Sequence, residues 1–305
     1  MHLTAQITNI SRTSVHDGPG VRTVVYFKGC ALQCRWCHNP ETIGFRQEVI
    51  YTPVKCIFCG RCITICPQCH RREGDLLRLE REHCVLCGKC VEQCPSGALS
   101  LSATEKTVEE VMAQIQKDMR YYRQSGGGVT LSGGECLLQA DFCAALLKGC
   151  KDAGIHTMIE TALFVPWHNV QKVMPWCDGF FADFKIPDPA KHKAYTGQDN
   201  ELILRNLQML ASQRPGQVTV RIPLIPGVND GSEDIAGFAA ALLSIAPLLA
   251  GIEVLRYNGL ASSKYAQLGK PYTDFGQPQN DEALLCYCRA LQQALEEKAE
   301  VYTVL

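Results

Sequence analysis

The stretch "CALQCRWC" places Cys30, Cys34 and Cys37 at spacings of four and three within eight residues. Thiolates clustered this tightly are ligands for iron–sulfur centres. A saturated electron-transfer or structural centre takes all of its ligands from the protein, whereas a reactive centre keeps a position for substrate. Three thiolates would hold three irons of a 4Fe–4S cube and leave the fourth accessible. Two other readings stand beside this one: zinc, or a cluster whose fourth ligand lies elsewhere in the chain. Zinc sites usually carry a second paired half such as another CxxC, and His38 is too close to the loop to supply it comfortably.

Elsewhere the chain supplies four ligands at a time. "CIFCGRCITICP" carries Cys56, Cys59, Cys62 and Cys66, and "CVLCGKCVEQCP" carries Cys84, Cys87, Cys90 and Cys94. In two-cluster ferredoxins the fourth cysteine of each such run ligates the other cluster. The expected ligand sets are Cys56, Cys59, Cys62 and Cys94 for one cube, and Cys84, Cys87, Cys90 and Cys66 for the other, with Cys69 an alternative ligand. Three 4Fe–4S clusters are expected in all. Closed clusters transfer electrons or brace a fold, and ligand spacing leaves both roles open.

These runs account for eleven of the eighteen cysteines. Most of the other seven (Cys69, Cys136, Cys143, Cys150, Cys177, Cys286 and Cys288) read as small buried hydrophobes. With 305 residues and a net charge of -1, the chain has no bulk field to recruit nucleic acid or an anionic membrane. No apolar run approaches the roughly 20 residues that span a bilayer. "MHLTAQITNISRTS" lacks a basic segment followed by an apolar one. A cytoplasmic protein with reduced thiols is expected.

Elements must hold these residues in place. "RTVVYFKGC" reads as a buried strand running into the first cysteine loop. "GGGVTLSGGE", "IHTMIET", "GFFADFK", "QVTVRIPLI" and "GIEVLRY" read as further strands. Helices are expected over "TEKTVEEVMAQIQKDMRYYRQS", with Thr107 capping it and Glu110 three residues on, over "ADFCAALLKGCKDAG", and near 167–174, 200–213, 234–247 and 281–298. Serial strand–helix units imply a parallel sheet. About six units make a partial (βα)6 TIM-like barrel rather than the closed eight, within an α/β fold. The barrel is expected over 1–44 and 104–305, with residues 45–103 forming an inserted ferredoxin-like domain. Cys30, Gly133, Gly134, Glu135, Glu160, Asp183, Lys185, Arg221 and Asn258 then all lie at or just beyond strand ends, on the face where such barrels do their chemistry.

CxxxCxxC after the first strand, with "GGE" after the second, resembles the radical S-adenosylmethionine (radical SAM) superfamily. "SVHDGPGVRTVVYFKGCALQCRWCHNPE", residues 14–41, together with "GGGVTLSGGE", "DFK", "VRIPLIPGVND" and "SKYAQLG", is similar to glycyl-radical-enzyme activating enzymes across essentially the whole chain. The resemblance implies that the unclaimed iron, held by Cys30, Cys34 and Cys37, is chelated by S-adenosylmethionine. It implies cofactor contacts from Gly133, Gly134 and Glu135 to the methionyl amino group, and from the backbone at Trp36, Cys37 and His38. Asp183, Phe184 and Lys185 match the family's Asp-x-Lys, which reaches the ribose and carboxylate, and Arg221 would lie near the carboxylate. Glu160, in "ETALF", takes the place of an aspartate that binds a monovalent cation in the pyruvate formate-lyase activator, so a cation near Glu160 and Asp183 is implied. Asn258 stands where that activator has a ribose-contacting histidine, and His16 and Asp17 belong to a loop resembling its partner-docking face.

The activity implied is reductive cleavage of S-adenosylmethionine to a 5′-deoxyadenosyl radical, which takes hydrogen from a glycine of a partner glycyl radical enzyme. Flavodoxin or ferredoxin would donate the electron. Formate-lyase, diol or glycerol dehydratase, choline lyase, hydroxyproline dehydratase and decarboxylase types all remain as partners. Two rival readings are a radical-SAM enzyme acting directly on a small molecule, and a non-catalytic iron–sulfur electron carrier. The latter leaves the long strand–helix region unexplained.

Overall fold

A computed structural model describes residues 3–305. All six expected strands form, in sequence order, as neighbours in one sheet of nine: Val301–Tyr302, Gly251–Arg256, Val218–Leu224, Gly179–Asp183, His156–Thr161, Gly128–Gly133, Arg22–Phe27, Thr4–Ser14 and Thr104–Thr107. The pairs from Arg22–Phe27 through Val301–Tyr302 are parallel. Thr4–Ser14 is antiparallel to both of its neighbours and carries the sheet to an outer edge. The sheet does not close on itself, as a count of six units requires.

Strand alternation divides the sheet into two chemically different faces. Val129, Leu131, Ile159, Phe180, Ala182, Val218, Val220, Ile222, Ile252 and Val254 are buried against the outer helices. Each such side chain contributes roughly 1.5–3 kcal/mol of burial. The residues between them are mostly polar: Thr130, Ser132, Glu160, Asp183, Arg221 and Glu253 line the concave side, with Met158 and Phe181 among them. A core that is apolar on one face only leaves the other free for charge.

The expected helix from Thr104 to Ser125 forms differently. Thr104–Thr107 pairs with the Thr4–Ser14 strand, and the helix begins at Val108. Thr107 Oγ1 accepts from Glu110 N while Glu110 Oε2 accepts from Thr107 N, so the capping box forms as read. The edge strand reads as helix because its residues carry no β-branched alternation strong enough to override the helical run after it.

Between Val49–Tyr51 and Leu99–Leu101, which pair with each other, the chain makes only short elements: five-residue and four-residue helices and the hairpin His70–Glu73 with Leu76–Leu79. A small separate core holds this region together, with Val49, Tyr51, Leu77, Ala98 and Leu99 packed around the cysteines. Arg81 fastens it to the barrel: one guanidinium nitrogen donates to Val49 O and another to Gln267 O at 2.8 Å.

Candidate functional site

Register brings two loops together. Phe27 pairs with Gly133 at the ends of adjacent parallel strands, so the cysteine loop and the glycine loop leave the sheet side by side. Gly134 N donates to Phe27 O at 2.9 Å and Glu135 N to Gly29 O at 2.7 Å. Gly133 has φ +111°, and a Cβ there would sit 2.3 Å from Phe27 N; at Gly134 it would sit 2.2 Å from Gly29 O. Only glycine permits this approach. The cysteine loop is held from its other side by Gln33 N to Thr196 O (2.7 Å) and Arg35 N to Tyr195 O (3.1 Å). Buried Lys28 ties down the exit of the loop by donating to Glu41 O (2.6 Å) and Ile43 O (3.0 Å).

Cys30, Cys34 and Cys37 line one cavity of ≈ 260 Å³ together with Trp36, His38, Ser132, Gly133, Gly134, Glu160, Asp183, Lys185 and Asn258. Burial pushes the Cys34 thiol up to about 12 and raises those of Cys30 and Cys37 as well. Thiolate formation there therefore goes with ligation and proton release. Lys185 Nζ donates to Asp183 at 2.6 Å. Burial works against its charge, but Asp183 and then the neighbouring Cys34 hold it protonated.

The remaining acid–base groups form a network across the four neighbouring strands from His156–Thr161 to Gly251–Arg256. Arg221 donates to Glu160 Oε1 and to Glu253 Oε2, both at 2.8 Å, and to His16 O at 3.1 Å; its guanidinium carbon lies 3.5 Å from the Phe181 ring centroid. Burial pushes Glu160 up, but Arg221 and the Ser132 hydroxyl outweigh it and hold the carboxyl below its ordinary value. Three carboxylates (Glu160, Asp183, Glu253) face two cations (Lys185, Arg221). The one surplus negative charge suits a cationic ligand such as a sulfonium.

Three of the expected contact residues lie off this cavity. Glu135 points away from it: the carboxylate accepts from Thr161 Oγ1 (2.8 and 2.9 Å), Ala162 N (2.9 Å) and Leu137 N (3.2 Å), bracing the glycine loop against the end of the next strand. Burial pushes it up to about 7. The Phe184 side chain, alternating with Asp183 and Lys185, faces outward and packs edge-on against Phe238. Arg221 sits behind Glu160 instead of in the cavity wall. It already supplies the positive charge that a monovalent cation beside Glu160 would bring. Asn258 does line the cavity, and its Oδ1 accepts from Leu260 N at 3.0 Å.

Sequence reading missed an aromatic cluster. Trp36 packs against Tyr195 and Phe275, and Phe275 against Tyr257, with centroids 6.0–6.2 Å apart. Four distant segments supply it, so no local pattern announces it. Trp36 thus both lines the cavity and anchors the cysteine loop. The "HDGPG" loop also lies away from the cysteines, near the N-terminal ends of the strands, where a Cβ on Gly20 would meet Gly127 N at 2.5 Å. It borders a second cavity of ≈ 1220 Å³ that shares Leu255, Arg256, Tyr257 and Asn258 with the first.

In the cysteine-rich region, one cavity of ≈ 100 Å³ is lined by Cys56, Cys59, Cys62 and Cys94, and another of ≈ 160 Å³ by Cys66, Cys84, Cys87 and Cys90. Each takes three cysteines from one run and the fourth from the other. Cys69 lines neither; it is buried beside Cys66 and Cys84, and burial pushes its thiol up to about 12. His70 is 1% exposed, lines the second cavity, and has no partner for Nε2 among the described residues. Its Nδ1 lies 3.4 Å from Cys66 O, which can only accept, so Nδ1 carries the proton, and burial, which lowers the pKa of the ring, leaves Nε2 an unprotonated acceptor. Among the described residues no group of three His, Cys, Asp or Glu is drawn together as a single metal ion would need. Cys136, Cys143, Cys150, Cys177 and Cys288 are buried, and Cys286 is exposed.

The model of the radical SAM superfamily matches residues 24–239. The chain is 42% identical over 273 residues to the (2S)-3-sulfopropanediol dehydratase activating enzyme of Klebsiella oxytoca, covering 87% of this chain and 86% of that one. It is 41% identical over 285 residues to the choline trimethylamine-lyase activating enzyme of Oleidesulfovibrio alaskensis, covering 92% of each. Among solved structures, a radical SAM methyltransferase from Sphaerobacter thermophilus superposes with a TM-score of 0.53 at 14% identity over 98% of this chain and 76% of that one, a likeness of fold. The chain belongs to the radical SAM superfamily and, within it, to the glycyl-radical-enzyme activating enzymes. That membership implies a 4Fe–4S cluster and S-adenosylmethionine. No helix among the described residues is long and apolar enough to cross a membrane.

Proposed function

We propose that this chain activates a glycyl radical enzyme, with Cys30, Cys34 and Cys37 holding the cluster and S-adenosylmethionine bound beside it. Bound together and supplied with one electron, the cluster and S-adenosylmethionine would provide radical chemistry able to take a hydrogen atom from the α-carbon of a glycine in the partner, with methionine and 5′-deoxyadenosine released. The chain's own residues bind, orient and shield. Gly133 and Gly134 leave backbone groups open to the methionyl amino end. Asp183 and Lys185 stand on the same face at the strand end, where they fit the ribose and carboxylate, and the surplus carboxylate of the concave face favours a sulfonium. Trp36 and its aromatic neighbours keep the loop rigid and exclude water.

The observation that carries the choice of substrate is the second cavity. At ≈ 1220 Å³ it opens directly beside the cysteine cavity and exceeds what a small-molecule site needs. A protruding backbone segment of a protein partner fits that volume. Glycine suits the reaction because no side chain hinders its approach.

Residues 45–103 form, in this reading, a ferredoxin-like unit holding two further 4Fe–4S clusters by the crosswise cysteine sets, inserted into a barrel made by 1–44 and 104–305. The two cysteine-lined cavities support it. The clusters relay electrons from flavodoxin or ferredoxin. Anaerobic incubation with candidate glycyl radical enzymes, S-adenosylmethionine and a reductant tests the whole: a backbone-radical doublet in EPR is expected with the cognate partner. S-adenosylmethionine consumed only with a small substrate, and never with such a partner, would overturn it.

A further inference from the structure

The two cysteine runs are repeats with the same backbone. Phe58 and Leu86, each two residues after the first cysteine of its run, have φ +54° and +57°, and Gly60 and Gly88, each four residues after it, have φ +74° and +76°. Identical loops can be compared residue by residue, and their surroundings differ. Leu86 lines a groove of ≈ 830 Å³ between the insert and the barrel, and that groove is also lined by Cys84, Cys34, Arg81 and Tyr265. Phe58 faces solvent at the opposite repeat, with the Arg72 guanidinium 5.8 Å from its ring centroid.

Surface chemistry differs in the same sense. Val54 is 94% exposed, and Ile57, Phe58, Ile65 and Leu76 are exposed around the first run. Among the described residues no ion pair forms to Lys55 or Arg61 beside them, whereas Arg71, Arg72 and Arg78 of the neighbouring hairpin are paired. At the equivalent positions of the second run, Val54 is replaced by Glu82, Thr64 by Glu92 and Ile65 by Gln93. The second run keeps one exposed apolar residue, Val85 in place of Ile57, and Lys89 in place of Arg61, so what sets the first run apart is a wider apolar patch and the absence of the carboxylates that Glu82 and Glu92 bring to the second.

We propose that the first run is where an acidic one-electron carrier protein docks, and that the second run, through Cys84 and Leu86, is where the electron leaves for the barrel. The proposal rests on the relay reading given above. The carrier is oxidised by one electron and the cluster held by Cys30, Cys34 and Cys37 is reduced by one; no bond is made or broken. Charge complementarity selects the occupant, because Lys55 and Arg61 attract an acidic surface that Glu82 and Glu92 would repel. Apolar residues at the centre of the patch supply the desolvated contact.

The test uses the full-length protein reconstituted to ~12 irons and flavodoxin hydroquinone as the probe, mixed anaerobically without S-adenosylmethionine. Stopped-flow absorbance gives the second-order rate of hydroquinone oxidation. The Lys55→Glu/Arg61→Glu variant is expected to slow it by roughly tenfold at low salt, with most of the difference lost by ~0.5 M salt. Lys89→Glu, at the position equivalent to Arg61, is expected to leave the rate within about twofold. Iron content equal to wild type confirms that each variant has folded and loaded. A Lys89→Glu effect as large as the double variant's, or no effect of the double variant, overturns the docking face. Freeze-quench EPR separates this from the relay itself. If electrons from flavodoxin reach the insert clusters of the wild type but never the barrel cluster, the relay fails whatever the charge variants do.

Discussion

The barrel and the insert use the same ligand to opposite ends. In the insert, four thiols line each small cavity, three from one cysteine run and one from the other. In the barrel, three thiols line one wall of a larger cavity whose other walls are glycine backbone, carboxylates and a lysine. A site completed by protein has no reason to keep charge and backbone nearby; a site completed by a ligand must. Coordination number alone therefore does not separate the two. What surrounds the missing corner does.

The largest break in this contrast is expected from removing one thiol on each side. Cys34→Ala should bring 5′-deoxyadenosine formation to background while iron falls from ~12 to ~8 per chain. Cys59→Ala should lose a similar amount of iron yet keep S-adenosylmethionine binding, measured by equilibrium dialysis. Equal loss of cofactor binding in both would erase the distinction.

Backbone comes next. Gly133→Ala must move a β-carbon out of contact with Phe27 N at 2.3 Å and adopt φ +111°, costing about 3 kcal/mol. Chemical denaturation should register that loss, and glycines in the insert with open space around them, such as Gly97, should cost less in the same assay.

Glu135 gives a pH signature that belongs to the barrel alone. Burial raises its folded pKa to about 7, above its unfolded value. The protonated form is thus favoured on folding, and this contribution is fully present below the unfolded pKa and lost as pH rises through about 7. Between those limits the change is about 3 kcal/mol. Glu135→Gln should flatten the stability difference between acidic and neutral pH; an unchanged slope would place the titration elsewhere.

The smallest expected effect sharpens the insert's side. His70→Leu removes the hydrogen bond from Nδ1 to the backbone carbonyl of Cys66, a ligand of the proposed second insert cluster, so the potential of that cluster should move by on the order of tens of millivolts. Redox titration followed by EPR reads it directly. A shift in the barrel cluster instead would misplace the histidine.

How much of this was legible in the sequence follows from what each feature depends on. The six parallel strands and the Thr107 cap rest on local periodicity or short spacings, and each has its counterpart in the structure; the cysteines of each expected crosswise set line one cavity. The Thr104–Thr107 strand was not legible, because a short edge strand half exposed to water lacks the apolar alternation of a buried one. Thr4–Ser14, paired on both sides, does alternate buried Ala5 and Ile7 with Gln6 and Thr8, a signal the sequence reading passed over. Glu135, Phe184 and Arg221 were read as contacts from motif membership, but which way a side chain turns depends on partners such as Thr161 and Glu253 that lie on other strands. Tyr195, Tyr257 and Phe275 carried no signal for the same reason. Cys69, read as an alternative ligand, lines neither insert cavity, and its thiol lies in hydrogen-bonding contact with Cys66 and Cys84.

The central contrast reduces to one spectrum. Reduced, fully loaded enzyme is recorded by EPR before and after adding S-adenosylmethionine. Three cubes of which one can take a ligand predict that one signal changes its g values while the other two persist unaltered. Spectra that shift for every cluster, or for none, would contradict the assignment of Cys30, Cys34 and Cys37 as the open site.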